Sequence, residues 1–180
     1  MIKEDIDIDF STLNIYRLTY QEIKQMKKDN FQKYKDLESK IVTLGKESAK
    51  WQDLKYPITT LDILENHAEQ ILYIICGKDN EIIGYLKVGR KKLYLYDKTG
   101  SCHESMPLSV LDFLITTVHQ KKGIGHYLFE YVLKKENADV SNIAYDRPSK
   151  RLISFLKKFY NFSKDIPQYN NFMIFENFSF

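Results

Sequence analysis

The chain has 180 residues, 43% hydrophobic and 28% charged, a balance that excludes a disordered polymer and suffices for one packed core. A net charge of +3 does not by itself point to nucleic acid, and no apolar run approaches the length of a membrane span. The two cysteines, Cys76 and Cys102, follow no leader pattern and are expected as reduced thiols in a cytosolic compartment.

In chain order, "IDIDF" (6–10) alternates like a short strand, and "NIYRL" (14–18) reads as another. Thr19 and Glu22 have capping-box spacing, which starts a helix. From Asn30 to Gln52 the residues Tyr34, Leu37, Ile41, Leu44 and Ser48 recur at helical steps, with Gly45 and Ala49 as a small-residue patch. "YPIT" (56–59) opens a loop. "ILYIIC" (71–76), "EIIGYLKV" (81–88) and "KKLYLY" (91–96) are expected as a meander, the last two joined by a two-residue "GR" hairpin. Residues 97–107 read as a polar loop. "LSVLDFLITTV" (108–118) is a strand buried on both faces. A helix over 124–135 turns Ile124, Leu128, Tyr131 and Val132 inward. A strand (140–146), a helix (147–160) and a last strand (170–178) complete the chain. In that helix Leu152, Phe155, Leu156 and Phe159 face inward and Pro148 occupies the first turn. Strand–helix–strand order implies a parallel pair, so the sheet is mixed with helices on its faces.

Between the buried strand and the helix lies "HQKKGIGH" (119–126). A loop feeding a helix offers unpartnered amides that carry partial positive charge and attract an anion. Glycines let a phosphate approach, and Lys121 and Lys122 add charge. The Q-x-x-G-x-G spacing from Gln120 to Gly125 lacks the third glycine of a dinucleotide loop and the G-K-[ST] ending of a P-loop. Its plain alternative is a connection that needs two unusual backbone angles.

The loop after a buried strand resembles the acetyl-CoA pyrophosphate loop of GNAT-type N-acetyltransferases. "VLDFLITTVHQKKGIGHYLFEYVL", "AYDRPSKRLISFLKKFYNF" and "PQYNNFMIFENF" are similar to the α-tubulin N-acetyltransferase family, as are "LGKESAKWQDLKYPIT" and "IIGYLKVGRKKLYLYD". The likeness runs in order from about residue 37 to 178. It implies a single GNAT-like domain over 1–180: an α/β (α+β) fold with a mostly antiparallel sheet, a splayed parallel strand pair and flanking helices. The implied activity is acetyl-CoA-dependent acetylation of an α-tubulin lysine in microtubules. The implied setting is the cytoplasm and cytoskeleton, with a cilium or flagellum axoneme as one place of action, for a monomer with neither nucleic-acid nor membrane partner.

Carried over by position, Phe113, Leu114, Ile115, Gln120, Lys121, Lys122, Gly123, Ile124, Gly125 and His126 line the pantetheine arm and pyrophosphate. Ser149, Arg151 and Lys158 belong to a second cofactor wall. Asp146, in "YDRPS", matches the family's active-site aspartate, and Gln52, in "AKWQDL", a glutamine important for activity. Ser109 stands where family members usually carry an active-site cysteine, and "FLITT" (113–117) where relatives often read "FYIHE". These departures keep a catalytically weakened microtubule-binding relative in view; the basic surface also leaves open an acetyltransferase for another protein lysine or a small amine.

Acetyl transfer needs a neutral amine, whereas a free lysine has a pKa of about 10.4. Asp146 is suited to attract the incoming ammonium and accept its proton; by pattern alone it also fits a helix N-cap. Gln52 is expected to hydrogen-bond the substrate backbone or Asp146, and Ser109 to be a buried hydroxyl beside the site. No serine-acyl context is present, which favours direct transfer in a ternary complex. The histidines at 67, 103, 119 and 126 match no zinc spacing, so no metal is expected. Lys87, Arg90, Lys91 and Lys92 read as a basic hairpin, either a solvated face or a dock for acidic tubulin segments.

Overall fold

The computed structural model describes residues 9–180. Of the strand expected over 6–10, residues 6–8 lie outside the described residues. Phe10–Thr12 instead forms a 3-10 turn, because the Asp9 carboxylate accepts the Ser11 amide at 3.0 Å. Strand β1 (Asn14–Thr19) runs into helix α1 (Tyr20–Asp29) through the anticipated capping box, Glu22 accepting from the Thr19 amide at 2.7 Å. Asn30 breaks the helix and caps the next one, α2 (Phe31–Trp51). Gly45 lets α2 settle against the following loop: a Cβ there would lie 2.6 Å from the Thr59 carbonyl oxygen. That loop holds an unforeseen short helix, α3 (Leu61–Glu65), capped by the Thr60 hydroxyl.

Strand β2 (Gln70–Cys76) and strand β3 (Ile82–Arg90) form the expected hairpin. The meander ends there, contrary to the "GR" hairpin reading. β3 runs straight through Gly89 and Arg90 and pairs with β6 (Leu108–Ile115), not with β4 (Leu93–Tyr96). Gly89 is in that strand for close packing: a Cβ would sit 3.0 Å from the Glu69 carbonyl oxygen and 3.2 Å from Leu111. β4 pairs with β5 (Cys102–Ser105), which lies inside the stretch expected to be polar loop.

Helix α4 (Ile124–Lys135), strand β7 (Ile143–Asp146), helix α5 (Lys150–Tyr160), and strands β8 (Asp165–Ile166) and β9 (Phe172–Phe175) follow. On α4 the fully buried aromatic is Phe129, while Tyr131 is half-buried. On α5 only Leu156 is fully buried; Phe159 is exposed, and Pro148 precedes the N-cap Ser149 instead of entering the first turn.

The seven-stranded sheet has the order β1-β2-β3-β6-β7-β9-β8, and only β6 and β7 are parallel. This is the expected mixed, mostly antiparallel sheet. One apolar core joins it to α4 and α5, centred on Tyr73, Leu86, Leu128 and Phe129. The other joins its opposite face to α1, α2 and α3 through Ile23, Ile41, Leu64 and Tyr85. The β4–β5 ribbon covers the β7–β9 end through Leu93 and Leu95. No described helix is long and apolar enough to cross a membrane.

Candidate active site

The two parallel strands touch only over Leu108–Val110 against Ile143–Tyr145. A register shift between β3 and β6 leaves Leu111 as an extra residue, which bends β6. β7 ends at Asp146 and the chain turns at Arg147, whose φ is +41°. β6 continues alone to Ile115, so its backbone beyond Val110 has no strand partner on that side. A cleft of about 180 Å³ opens there between the glycine loop and α5.

Phe113, Leu114 and Ile115 on β6 and Gly125 on α4 form one wall, and Ser149, Arg151 and Phe155 on α5 the other. Gly125 has no unusual angle. It opens α4, and a Cβ there would only touch Phe113 at 3.4 Å and Ile115 at 3.5 Å, filling the space beside them. The two positive φ values of the loop belong to Lys121 (+62°) and Gly123 (+80°). First-turn amides of α4 lack helical acceptors, as at any helix start; the turn closes with the Tyr127 amide on the Gly123 carbonyl at 3.0 Å. Gln120 is tethered at both ends, donating to the Ile115 carbonyl at 2.7 Å and accepting from Arg151 at 3.3 Å.

Other expected cofactor residues stand off the cleft wall. The Ile124 side chain is in the core and leaves only its backbone for a ligand. Gly123 lies under Phe10, whose ring a Cβ would meet at 3.2 Å. His126 stacks on Phe159 with ring centroids 4.2 Å apart, and Lys158 sits over the same ring. Lys121, Lys122 and Lys158 are not among the side chains lining the cleft.

Asp146 borders a second, smaller cavity of about 20 Å³ where β6 and β7 part, together with Asp112; this cavity adjoins the cleft through Gln52, Phe113, Ser149 and Leu152, which line both. The Asp146 carboxylate is 19% exposed and accepts from the Arg147 guanidinium at 3.1 Å. It is not the helix cap; Ser149 is, accepting the Leu152 amide. Gln52 does not bond Asp146. Its amide donates to Asp112 and to Ser48, both at 2.9 Å. Ser109 is fully buried between β3 and β7, its hydroxyl 3.5 Å from the Pro107 carbonyl oxygen, and contributes nothing to the cleft wall.

Asp112 gathers the polar side chains beneath β6. Nearly buried, it accepts from Ser48 at 2.7 Å, Gln52 at 2.9 Å, Thr59 at 2.5 Å and Tyr85 at 2.7 Å. Burial and this neighbouring carboxylate push the Tyr85 phenol well above its ordinary pKa. Opposite Asp112 across the β3–β6 ladder stands Lys87. It is only 3% exposed and donates to the Ile58 carbonyl, so it does not belong to a solvated basic face. Burial lowers its ammonium to about 8, against the favourable charges of Asp112 and Asp146. Arg90 and Lys92 remain on the surface, Lys92 paired with Glu104 at 3.0 Å. No three His, Cys, Asp or Glu side chains converge among the described residues.

A splayed parallel pair with a glycine loop on one side is a geometry that comparison with known proteins can test. The family model described as "GNAT acetyltransferase, Mec-17" matches residues 3–180. The chain belongs to this family. Alpha-tubulin N-acetyltransferase 1 of Danio rerio is 42% identical over 139 residues, covering 75% of this chain and 47% of that protein. Alpha-tubulin N-acetyltransferase of Tetrahymena thermophila is 41% identical over 136 residues, covering 76% of this chain and 34% of that protein. The chain thus spans about half or less of these two relatives. Among solved structures, an aminoglycoside acetyltransferase from a soil metagenome in complex with sisomicin superposes with TM-score 0.55. It is 13% identical, with 89% of this chain and 97% of that one covered. A predicted acetyltransferase from Clostridium acetobutylicum with acetyl-CoA gives TM-score 0.54 at 14% identity, covering 84% and 90%. At these identities the structures establish the fold.

In this Mec-17 family member, sequence reasoning passed over Asp112, Thr59, Tyr85 and the burial of Lys87. The signal was present: an acid in "LSVLDFLI" and a lysine in "IIGYLKVG" interrupt runs expected to be buried. A charge in such a run needs a partner, and their ladder positions face each other.

Proposed function

We propose that the chain, acting as one monomeric catalytic domain over 1–180, is an acetyl-CoA-dependent N-acetyltransferase for a lysine side chain of α-tubulin in microtubules. The coenzyme supplies an activated acetyl thioester; direct attack by the lysine amine in a ternary complex forms the amide C–N bond as the C–S bond breaks, and coenzyme A leaves as its thiol with the proton the amine gives up. The observation that carries the proposal is the cleft where β6 and β7 diverge, walled by the glycine-led helix α4 and by α5, with Asp146 on a small cavity that shares Gln52, Phe113 and Ser149 with it.

The residues present fit such a coenzyme. Gly125 leaves room that a Cβ would fill, the first-turn amides of α4 and the Arg151 guanidinium offer donors to a diphosphate, and Phe113, Ile115 and Phe155 offer an apolar track for the pantetheine arm. Asp146 attracts the substrate ammonium and takes its proton. Gln52, held by Asp112 and Ser48, presents its free carbonyl oxygen near the opening as an acceptor for substrate. Ser109, buried on β6 between β3 and β7, acts as packing, and a covalent serine intermediate has no place in the mechanism. Exposed Arg90 offers positive charge for acidic tubulin segments, and action on microtubules in the cytoplasm is part of this proposal.

The test is mass-spectrometric acetylation of polymerised tubulin with acetyl-CoA, wild type against Asp146→Asn. Lysine acetylation of α-tubulin by the wild type and its loss in the variant are expected. Wild-type protein that binds acetyl-CoA yet leaves several tubulin preparations unmodified would overturn the substrate assignment. Cosedimentation with microtubules in that case would favour a binding module.

A further inference from the structure

The chain's single tryptophan, Trp51, is the last residue of α2 and lines the cleft while remaining 42% exposed. A large apolar ring left half in water at the mouth of a cleft needs a reason, and its contact supplies one. The Arg151 guanidinium lies on the indole face, its central carbon 3.4 Å from the ring centroid. The same guanidinium donates to Gln120, which is itself tied to the end of β6. One cation therefore joins three elements across the opening: the end of α2, the glycine loop and the first turn of α5.

An arginine stacked in this way keeps its five donors in the ring-parallel plane and loses much of its rotamer freedom. Among the described residues only Gln120 accepts from it, so most donors remain free at the mouth. The Trp51 indole has no charge and no acceptor for a phosphate. Its effect on an anionic ligand must pass through the guanidinium it holds.

We propose that Trp51 is a positioning residue of the coenzyme site, clasping Arg151 across the cleft mouth so that the guanidinium meets the coenzyme's diphosphate already oriented. The role rests on acetyl-CoA being the ligand of the cleft, and it extends that assignment to a residue on α2, outside both cofactor walls.

The test uses the full chain, calorimetry with coenzyme A, and calorimetry with acetyl-pantetheine, which lacks the phosphates. Trp51→Ala is expected to weaken coenzyme A binding about five- to tenfold, in line with an exposed to partly desolvated cation–π contact. Trp51→Phe is expected to recover part of the loss, and Trp51→Ala to add nothing once Arg151→Ala is present. Acetyl-pantetheine affinity should be the same in wild type and Trp51→Ala. Unchanged thermal melting of Trp51→Ala shows that folding is not the cause. Coenzyme A binding that is equal in wild type and Trp51→Ala overturns the clasp and leaves the coenzyme assignment standing. Equal weakening toward both ligands also overturns it, because Trp51 then acts on the pantetheine arm. Absence of coenzyme A binding by the wild type overturns the coenzyme assignment and the clasp with it.

Discussion

Replacing Asp112 by asparagine removes one charge and one acceptor from the centre of the molecule while keeping its size. In the wild type, Oδ1 accepts from Ser48 and Gln52, and Oδ2 from Thr59 and Tyr85. With asparagine, the oxygen keeps two donors as neutral partners. The new NH₂ faces two hydroxyls that must rotate from donors to acceptors. A hydrogen bond to a charged group contributes about 1.5–3 kcal/mol and a neutral one about 0.5–1.5, so each of four bonds weakens by about 1 kcal/mol. The bonds share one group and are not additive, which makes about 2–4 kcal/mol the expected net loss. At this chain length that is a drop of about 5–12 °C in melting temperature, with the fold retained. Differential scanning calorimetry reads it, and the far-ultraviolet circular dichroism spectrum should stay native. The amide of Gln52 also loses its charged anchor, so turnover should fall while coenzyme affinity holds. A melting temperature within about 1 °C of wild type would refute the four-donor assignment, since even one weakened charged bond predicts more.

The remaining predictions use the same geometry. Lys87 has its ammonium lowered from 10.5 to about 8 by burial. Below about pH 8 both states carry the charge and the folded state bears its full burial cost; from there to about 10.5 the unfolded state binds the extra proton, so stability rises with pH. Against Lys87→Met, wild type should gain about 2 kcal/mol between pH 7.5 and 9.5 in urea unfolding, and parallel curves would refute it. The window stops there because burial raises the phenols of Tyr34, Tyr73, Tyr145 and Tyr160, which favour the fold less at still higher pH. Gly125→Ala should leave stability unchanged or raised by up to about 1 kcal/mol through helix propensity while weakening coenzyme A binding at least about tenfold in calorimetry, the Cβ filling the space beside Phe113. Ser109→Cys should keep kcat/KM for acetyl-CoA within about twofold, because the side chain is fully buried off the cleft and makes no contact that changes in the transition state.

Much of the fold is legible where one residue type has one physical use. Thr19 and Glu22 cap each other because hydroxyl and carboxylate at that spacing satisfy two free amides. The apolar run at 108–115 is buried on both faces because it is a central strand with helices packed over each face of the sheet. Gly89 was misleading because glycine serves two ends: it permits positive φ in turns, and it permits close approach in strands. Only the contact with the Glu69 carbonyl, twenty residues away in sequence, decides between them. The same ambiguity divides the loop glycines. Gly123 supplies a left-handed angle, while Gly125 supplies empty space in a helix. Phe159, spaced as a core residue on α5, stays outside because His126 stacks on it at the surface, a pairing that periodicity does not encode.

The splay of β6 from β7 ties these features together. A parallel pair that continued past Val110 would satisfy the backbone of both strands and leave no cleft. Asp112 works against that continuation. One residue after the bulge, it draws four polar side chains from α2, the loop before α3 and β3 into the layer below the strand, and two of them, Ser48 and Gln52, also border the cleft. β6 is therefore anchored from the α2 side, while the turn at Arg147 sends the chain from β7 into α5. The unpaired strand edge between them faces the cleft and can accept an extended ligand with amide groups, as a neighbouring strand would. Stability and site are thus built by one set of contacts: the carboxylate that costs most to bury holds α2 close enough for Gln52 and Trp51 to reach the opening.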